Sequence, residues 1–270
     1  MAILHPVAGK NSKVSEAQVR QTLRLAFQVS GLPEEVQTDG EPCLNPCPGD
    51  PFPSRFTLWL MGMGIAHLRS RPGVPTDDAE VERAHRTLYD FFLVDALQQD
   101  ISRDELNRQL QNAVDQLNHC YPSRAHGCEA QPPFTAHPEL SHPPRPFDPQ
   151  YELAHFDLDR VDAYLAPLRF ERKVGRTGQI KLGGREARYC VGRKYIGQTV
   201  KVRFDPTQRE FVAYQPNAEG QEHEIRRWPA KRLTAEDIIG IAPKPVLPCP
   251  QQLPLPFLFE ESNLKESSQV

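Results

Sequence analysis

No apolar run in this sequence is long enough to cross a bilayer. The longest, Phe56 to Ile65, is well short of the roughly 20 residues a spanning helix needs, and it carries Gly62 and Gly64. Nor does an apolar stretch follow the first charges at the N-terminus, so no signal peptide is expected. The expectation is a soluble, cytoplasmic protein with no membrane partner. A cysteine framework is absent too. Cys43, Cys47, Cys120, Cys128, Cys190 and Cys249 have no regular spacing and read as free thiols of a reducing compartment. No glycine-rich phosphate loop follows the first apolar residues, which removes the simplest nucleotide-binding reading. A large excess of either sign of charge is also lacking. A net charge of −3 selects no partner by itself. Finally, no aspartate occurs in residues 1–38.

What is present in excess is proline, 27 residues in 270, and it is clustered. Such clusters make stiff connections between modules. Charged residues are 25% of the chain, an ordinary globular share, so a folded core is expected.

Ala2 to Val7 reads as a short strand limited by Pro6. Ser15 with Gln18 forms a capping-box pattern and opens a helix whose buried face is Val19, Leu23, Ala26 and Phe27; Gly31 ends it. Leu32 to Gly40 is a short strand with Asp39 at its C-terminal end, the edge of an α/β sheet where functional groups gather. A proline-rich insertion, Pro42 to Pro53, carries Cys43 and Cys47; their spacing suits half of a zinc site, or a plain surface loop. Ser54 to Met63 is a helix with Phe56, Trp59, Leu60 and Met63 inward, and Ile65 to Leu68 a second strand.

The next stretch, Pro75 to Leu88, has the form of a loop becoming a helix. Thr76 or Asp77 can cap it, and Asp77, Asp78 and Glu80 suit the positive end of its dipole. Val81, Leu88, Phe92 and Ala96 predict its apolar face. Glu82 lies off that stripe in a ladder with Asp78 and Arg86. Taken alone, this is a well-capped surface helix, and Asp39 alone is a strand-ending turn residue. Taken together, the strand end and the helix can bring two carboxylates into one cleft, where hard divalent cations bind through oxygen. Ser102 with Glu105 opens another helix, with Leu106, Leu110, Ala113 and Leu117 on one face.

From Arg169 the helical period gives way to alternation. Phe170 and Val174, Ile180 and Leu182, Tyr189 and Val191, and Val200, Val202 and Phe204 mark short strands, which predicts a small antiparallel barrel. Between Arg160 and Arg232, Lys and Arg exceed Asp and Glu by nine. Arg172, Lys173, Arg188, Arg193, Lys194, Lys201 and Arg203 belong to this field, with Lys201 and Arg203 on one face of a strand. Such a field fits salt-dependent contact with DNA phosphates, or an ordinary solvated surface.

Several of these segments, in order, resemble a known family. Gly31-Leu32-Pro33, Thr38-Asp39-Gly40, Gly64-Ile65-Ala66-His67, Arg71-Pro72-Gly73-Val74-Pro75 and Val81-Glu82-Arg83-Ala84-His85-Arg86-Thr87-Leu88 look like the C-terminal half of the catalytic core of retroviral integrases and related bacterial insertion-sequence transposases. The resemblance covers residues 1 to about 120. It implies an RNase H-like α/β core with an Asp, Asp, Glu triad that acts on DNA with Mg²⁺ or Mn²⁺. Asp39 matches the second Asp and Glu82 the Glu, both catalytic and metal-binding; Arg83 and Arg86 would contact DNA. The first Asp has no counterpart in residues 1–38, so the chain is expected to be inactive alone. Two departures stand out: Asp78-Ala79 replaces the usual Asn-Gly, and the Pro42 to Pro53 insertion lengthens the Asp-to-Glu interval.

The expected fold class is therefore α/β, a partial RNase H-like core, followed by a small all-β SH3-like barrel. The expected division is core 1–120, proline-rich linker 121–168, basic barrel 169–235 and disordered tail 236–270. DNA and a second copy or a second transposase subunit are the expected partners. Two other functions remain open: a non-catalytic DNA-binding remnant or regulator of a mobile element, and a protein-interaction module.

Overall fold

The computed structural model describes residues 14–41, 44, 52–71, 73–77, 79–90, 101–125, 127–183, 187–216 and 221–241. The expected strand at Ala2 to Val7, the Cys43 and Cys47 pair, and Phe92 and Ala96 lie outside them. No helix among the described residues is long and apolar enough to cross a membrane.

Helix α1, Glu16–Ser30, begins as its sequence predicts. The Ser15 side chain accepts from Gln18 N–H, and the Gln18 side chain accepts from Ser15 N–H. Gly31 ends it at φ 73°, where any side chain would collide with Pro143. Strand β1, Glu35–Thr38, and strand β2, Ala66–Arg69, pair in parallel, with Thr38 opposite Arg69. Helix α2, Arg55–Gly62, makes the crossover between them. It is apolar on nearly every side and correspondingly buried, with Phe56, Trp59 and Leu60 at 0% exposure.

The opening of α2 is fixed by Ser54, whose hydroxyl accepts from Thr57 N–H. Around Trp59 a buried charge is matched. Its indole N–H donates to Glu152 at 2.7 Å, and Arg24 Nε donates to the other Glu152 oxygen at 2.8 Å. Both partners are needed, because an unpaired buried carboxylate would be costly.

Helix α3, Ala79–Leu88, departs from its predicted face. Val81 is 57% exposed, and Leu88 alone of the predicted residues described is buried. Leu88 packs on Leu110, Ala113 and Val114 of helix α4, Arg103–His119, in a small cluster apart from the main core. Ser102 caps α4 by accepting from Glu105 N–H, but Glu105 turns its carboxylate to Arg108 and Gln109.

The segment expected as a proline-rich linker is stitched onto the first half. Leu32 N–H donates to Arg145 O at 2.8 Å. The Arg145 guanidinium donates to the carbonyls of Pro33, Met63 and Gly64 at 2.6–3.0 Å. Phe147 stands edge-on to Phe27, 6.0 Å between ring centres. Two short helices follow, α5 at Glu152–His155 and α6 at Leu158–Leu165, the latter lying against α2.

The C-terminal part holds β3 (Arg169–Lys173), β4 (Gln179–Lys181), β5 (Arg188–Cys190), β6 (Thr199–Asp205), β7 (Glu210–Pro216) and β8 (Glu222–Pro229). They form a four-stranded antiparallel sheet, β3-β6-β7-β8, and a two-stranded one, β4-β5. Among the described residues these sheets do not close into a barrel. Alternation is as expected on β6, where Val200, Val202 and Phe204 are buried. Phe52, from the proline-rich insertion, sits on the inner face of the sheet, 5.1 Å from Phe170 and 5.9 Å from Phe211. One continuous core thus runs from Phe27 through α2 to the sheet and on to Ile239. Its last contributor corrects the tail boundary. Residues 236–239, expected to be disordered, belong to helix α7, Ala235–Ile239, capped by Thr234 and buried at Ile238 and Ile239.

Candidate functional site

Asp39 lies directly beyond β1, at the C-terminal edge of the parallel pair, and is exposed. One carboxylate oxygen accepts from Glu41 N–H at 3.1 Å. That is an Asx turn, so the turn role read from the sequence is filled as well. The ladder continues one step past the strands, with Ser70 N–H donating to Thr38 O at 2.9 Å. Gln37 then reaches across. Its amide donates to Ser70 Oγ at 3.0 Å and to Asp77 O at 2.9 Å. Arg71 closes the loop, donating to the Asp77 carboxylate from its backbone N–H at 2.8 Å and from its guanidinium at 2.7 and 3.1 Å. These bonds hold the Asp77 carboxyl down at about 2. Asp77, expected as a helix cap, thus holds the loop that delivers α3.

Glu82 sits early on α3 and is exposed, as are Arg83 and Arg86. The two candidate carboxylates are therefore on adjacent segments joined by the Gln37–Ser70–Asp77 stitch. Among the described residues, however, no three His, Cys, Asp or Glu side chains assemble into a group able to hold a metal ion.

A half-buried group beside Asp39 escaped the residue-by-residue reading. Thr38 Oγ1 lies 2.9 Å from His67 Nε2, and Thr57 Oγ1 lies 3.0 Å from His67 Nδ1. Thr57 Oγ1 is in turn 2.9 Å from Ser54 Oγ, which donates to Leu44 O at 2.6 Å. Phe56 covers the ring edge-on. Burial, with Arg69 adding to it, lowers the His67 pKa. The four residues come from three segments, so only the fold reveals them.

The basic residues divide into two groups. On the outer face of the four-stranded sheet Arg169, Arg203, Val212 and Arg227 form one row across the strands. Val212 is fully buried beneath its long neighbours. Here acids answer the cations. Arg203 Nε is 3.6 Å from Glu222, an ion pair slightly too long for a hydrogen bond. Arg227 is bracketed by Glu224 at 2.8 Å, Asp205 at 2.9 Å and Glu210 at 3.9 Å. Lys201, in the next row, is half-buried between Glu171 and Tyr214. Arg172 serves as a strut, donating to Lys181 O at 3.0 Å. Arg172 and Arg203, read from sequence as DNA contacts, are thus engaged within the fold.

The second group surrounds β4 and β5. Lys181 and Arg188 are direct cross-strand neighbours and both exposed. Lys173, Arg176, Arg193 and Lys194 are exposed nearby, and Lys194 Nζ lies over the Tyr195 ring at 4.8 Å. From Arg172 to Arg203 the sequence holds one acid, Glu186, against ten cations.

No family model matches the chain. Over 118 residues it is 31% identical to the Gag-Pol polyprotein of Rous sarcoma virus subgroup C (strain Prague). That match takes in 42% of this chain and 7% of the polyprotein, so the chain spans a small part of its relative. A solved simian T-cell lymphotropic virus intasome, in complex with PP2A regulatory subunit B56 gamma, shows 15% identity and a TM-score of 0.35 over 82% of this chain and 66% of that one. This chain is thus similar in part to a retroviral polyprotein.

Proposed function

We propose that the chain carries the C-terminal part of an integrase-type DDE catalytic core of RNase H-like fold, in residues 1–120, followed by a basic, SH3-like DNA-contacting module in residues 169–235. The observation that carries this reading is the order β1, α2, β2, loop, α3, which sets Asp39 at a strand end and Glu82 on the helix that the stitched loop delivers. The 31% identity to a retroviral Gag-Pol polyprotein supports it.

Asp39 and Glu82 supply hard oxygen donors, the kind Mg²⁺ or Mn²⁺ takes. They fit in kind and not in number, since the described residues supply no third member. Two carboxylates do not hold the metal pair that clamps an attacking and a leaving oxygen. No catalytic step is therefore assigned to this chain alone. Its role is to bind and orient DNA, with the exposed cations around β4 and β5 on the phosphates. A second copy or another transposase subunit would complete the activity.

A strand-transfer assay with Mn²⁺ on the isolated chain tests this. The expected result is no product, together with a DNA complex whose affinity falls steeply with salt. Turnover that disappears on Asp39→Ala would show that the site is complete after all. No DNA complex, together with salt-insensitive binding to a second transposase subunit, would instead favour a protein-interaction module, the reading suited by the compensated outer face of the four-stranded sheet.

A further inference from the structure

The hydroxyl and imidazole groups behind β1 form a chain whose hydrogen-bond direction follows from counting protons. Ser54 has one hydroxyl proton, and it goes to Leu44 O. Thr57 must then donate its own proton to Ser54. With that proton committed, Thr57 Oγ1 can only accept from His67 Nδ1. A neutral ring protonated at Nδ1 has a bare Nε2, so Thr38 Oγ1 donates to it. The order is Thr38 to His67 to Thr57 to Ser54 to Leu44, with every proton assigned. Burial and the nearby Arg69 charge lower the His67 pKa, which favours the neutral ring.

Thr38 is thus held twice. Its carbonyl accepts from Ser70 N–H, and its hydroxyl donates into the chain. The residue directly beyond it is Asp39. We propose that His67 is a positioning residue: as the Nδ1-protonated tautomer it locks the last residue of β1 and so sets where Asp39 leaves the strand. Its functional importance rests on the proposed role of Asp39; the locking itself does not.

The test is ¹⁵N NMR of the His67 ring, with amide exchange at Ser70 and the carboxyl ¹³C signal of Asp39 as local readouts. Nδ1 is expected to carry the proton. Thr38→Val and His67→Asn, which remove the Thr38 contact, are expected to speed Ser70 exchange by about five- to tenfold and to shift the Asp39 signal. Thr38→Ser and His67→Gln, which preserve that contact, should stay close to the parent. The proton on Nε2, or Thr38→Val with unchanged Ser70 exchange and an unmoved Asp39 signal, overturns the proposal. Far-UV circular dichroism and the spectrum of β6 and β7 confirm that each variant is folded. Mn²⁺ titration of the parent chain examines the other reading separately. Broadening of Asp39 supports cation binding, and an unbroadened signal beside the expected tautomer refutes that reading while leaving the lock in place.

Discussion

The outer face of the four-stranded sheet and the β4-β5 hairpin are both rich in cations, yet their chemistry is opposed. On the sheet, Arg227 stands among three carboxylates and Arg203 beside Glu222, and their stems cover Val212. On the hairpin, Lys181 and Arg188 sit directly opposite each other, both exposed. Like charges placed directly opposite each other are destabilising, and an anion such as a phosphate bound beside them would relieve that repulsion. Counting cations in a sequence does not show how the fold uses them. What matters is which cations the fold leaves exposed and which it engages across its strands.

The largest effect belongs to the inner side of the four-stranded sheet. Phe52→Ala should cost about 3–5 kcal/mol of stability, measured by denaturant unfolding, because it empties the contact with Phe170 and Phe211. A small loss would mean that the sheet folds without the insertion. Next, replacing Lys181, Arg188 and Lys194 by Gln should weaken DNA binding about tenfold or more and lower the salt slope by roughly one per cation removed. Fluorescence anisotropy across a salt series measures both. Arg227→Gln should change DNA affinity by less than about threefold, within the effect of a single lost phosphate contact. It should instead lower the thermal midpoint, since Asp205, Glu210 and Glu224 would then face one another. Equal losses in DNA binding from the two sets would erase the distinction between the faces.

The smallest effect is local and pH-dependent. Asp77 is held at about 2 by Arg71, against roughly 3.9 in an unfolded chain. A depressed carboxyl stabilises above the unfolded value and loses that stabilisation as pH falls toward the folded one. The loop carrying Arg71 should therefore loosen between about pH 4 and pH 2, seen as faster exchange of the Arg71 amide. Asp77→Asn should abolish that dependence.

Much of the fold was legible where the signal is local. Ser15 with Gln18, Gly31, the apolar helix from Ser54 and the alternation on β6 all depend on neighbours a few residues away. What could not be read depends on distant partners. Val81 faces solvent because α3 packs through Leu88 onto α4. Arg145 reads as one more residue of a proline-rich stretch until its three carbonyl partners are in place. At the candidate site, the strand-end position of Asp39 and the helical position of Glu82 followed from element order, whereas the His67 chain needed the parallel register of β1 and β2. The internal partners of Arg172 and Arg203 could not be read, because Lys181 O and Glu222 approach them only across strands.

The Arg145 clamp has a consequence for how this protein can be recombined. A chimera exchanging everything after residue 120 or 168 for the corresponding part of a relative would separate Arg145 and Phe147 from Gly64 and Phe27, or Phe52 from Phe170. Either junction cuts through a shared interior. Such an exchange would keep its core packed only if the donor carried matching residues on both sides of the cut, so the two ends of the chain are expected to have diverged together rather than as separable cassettes.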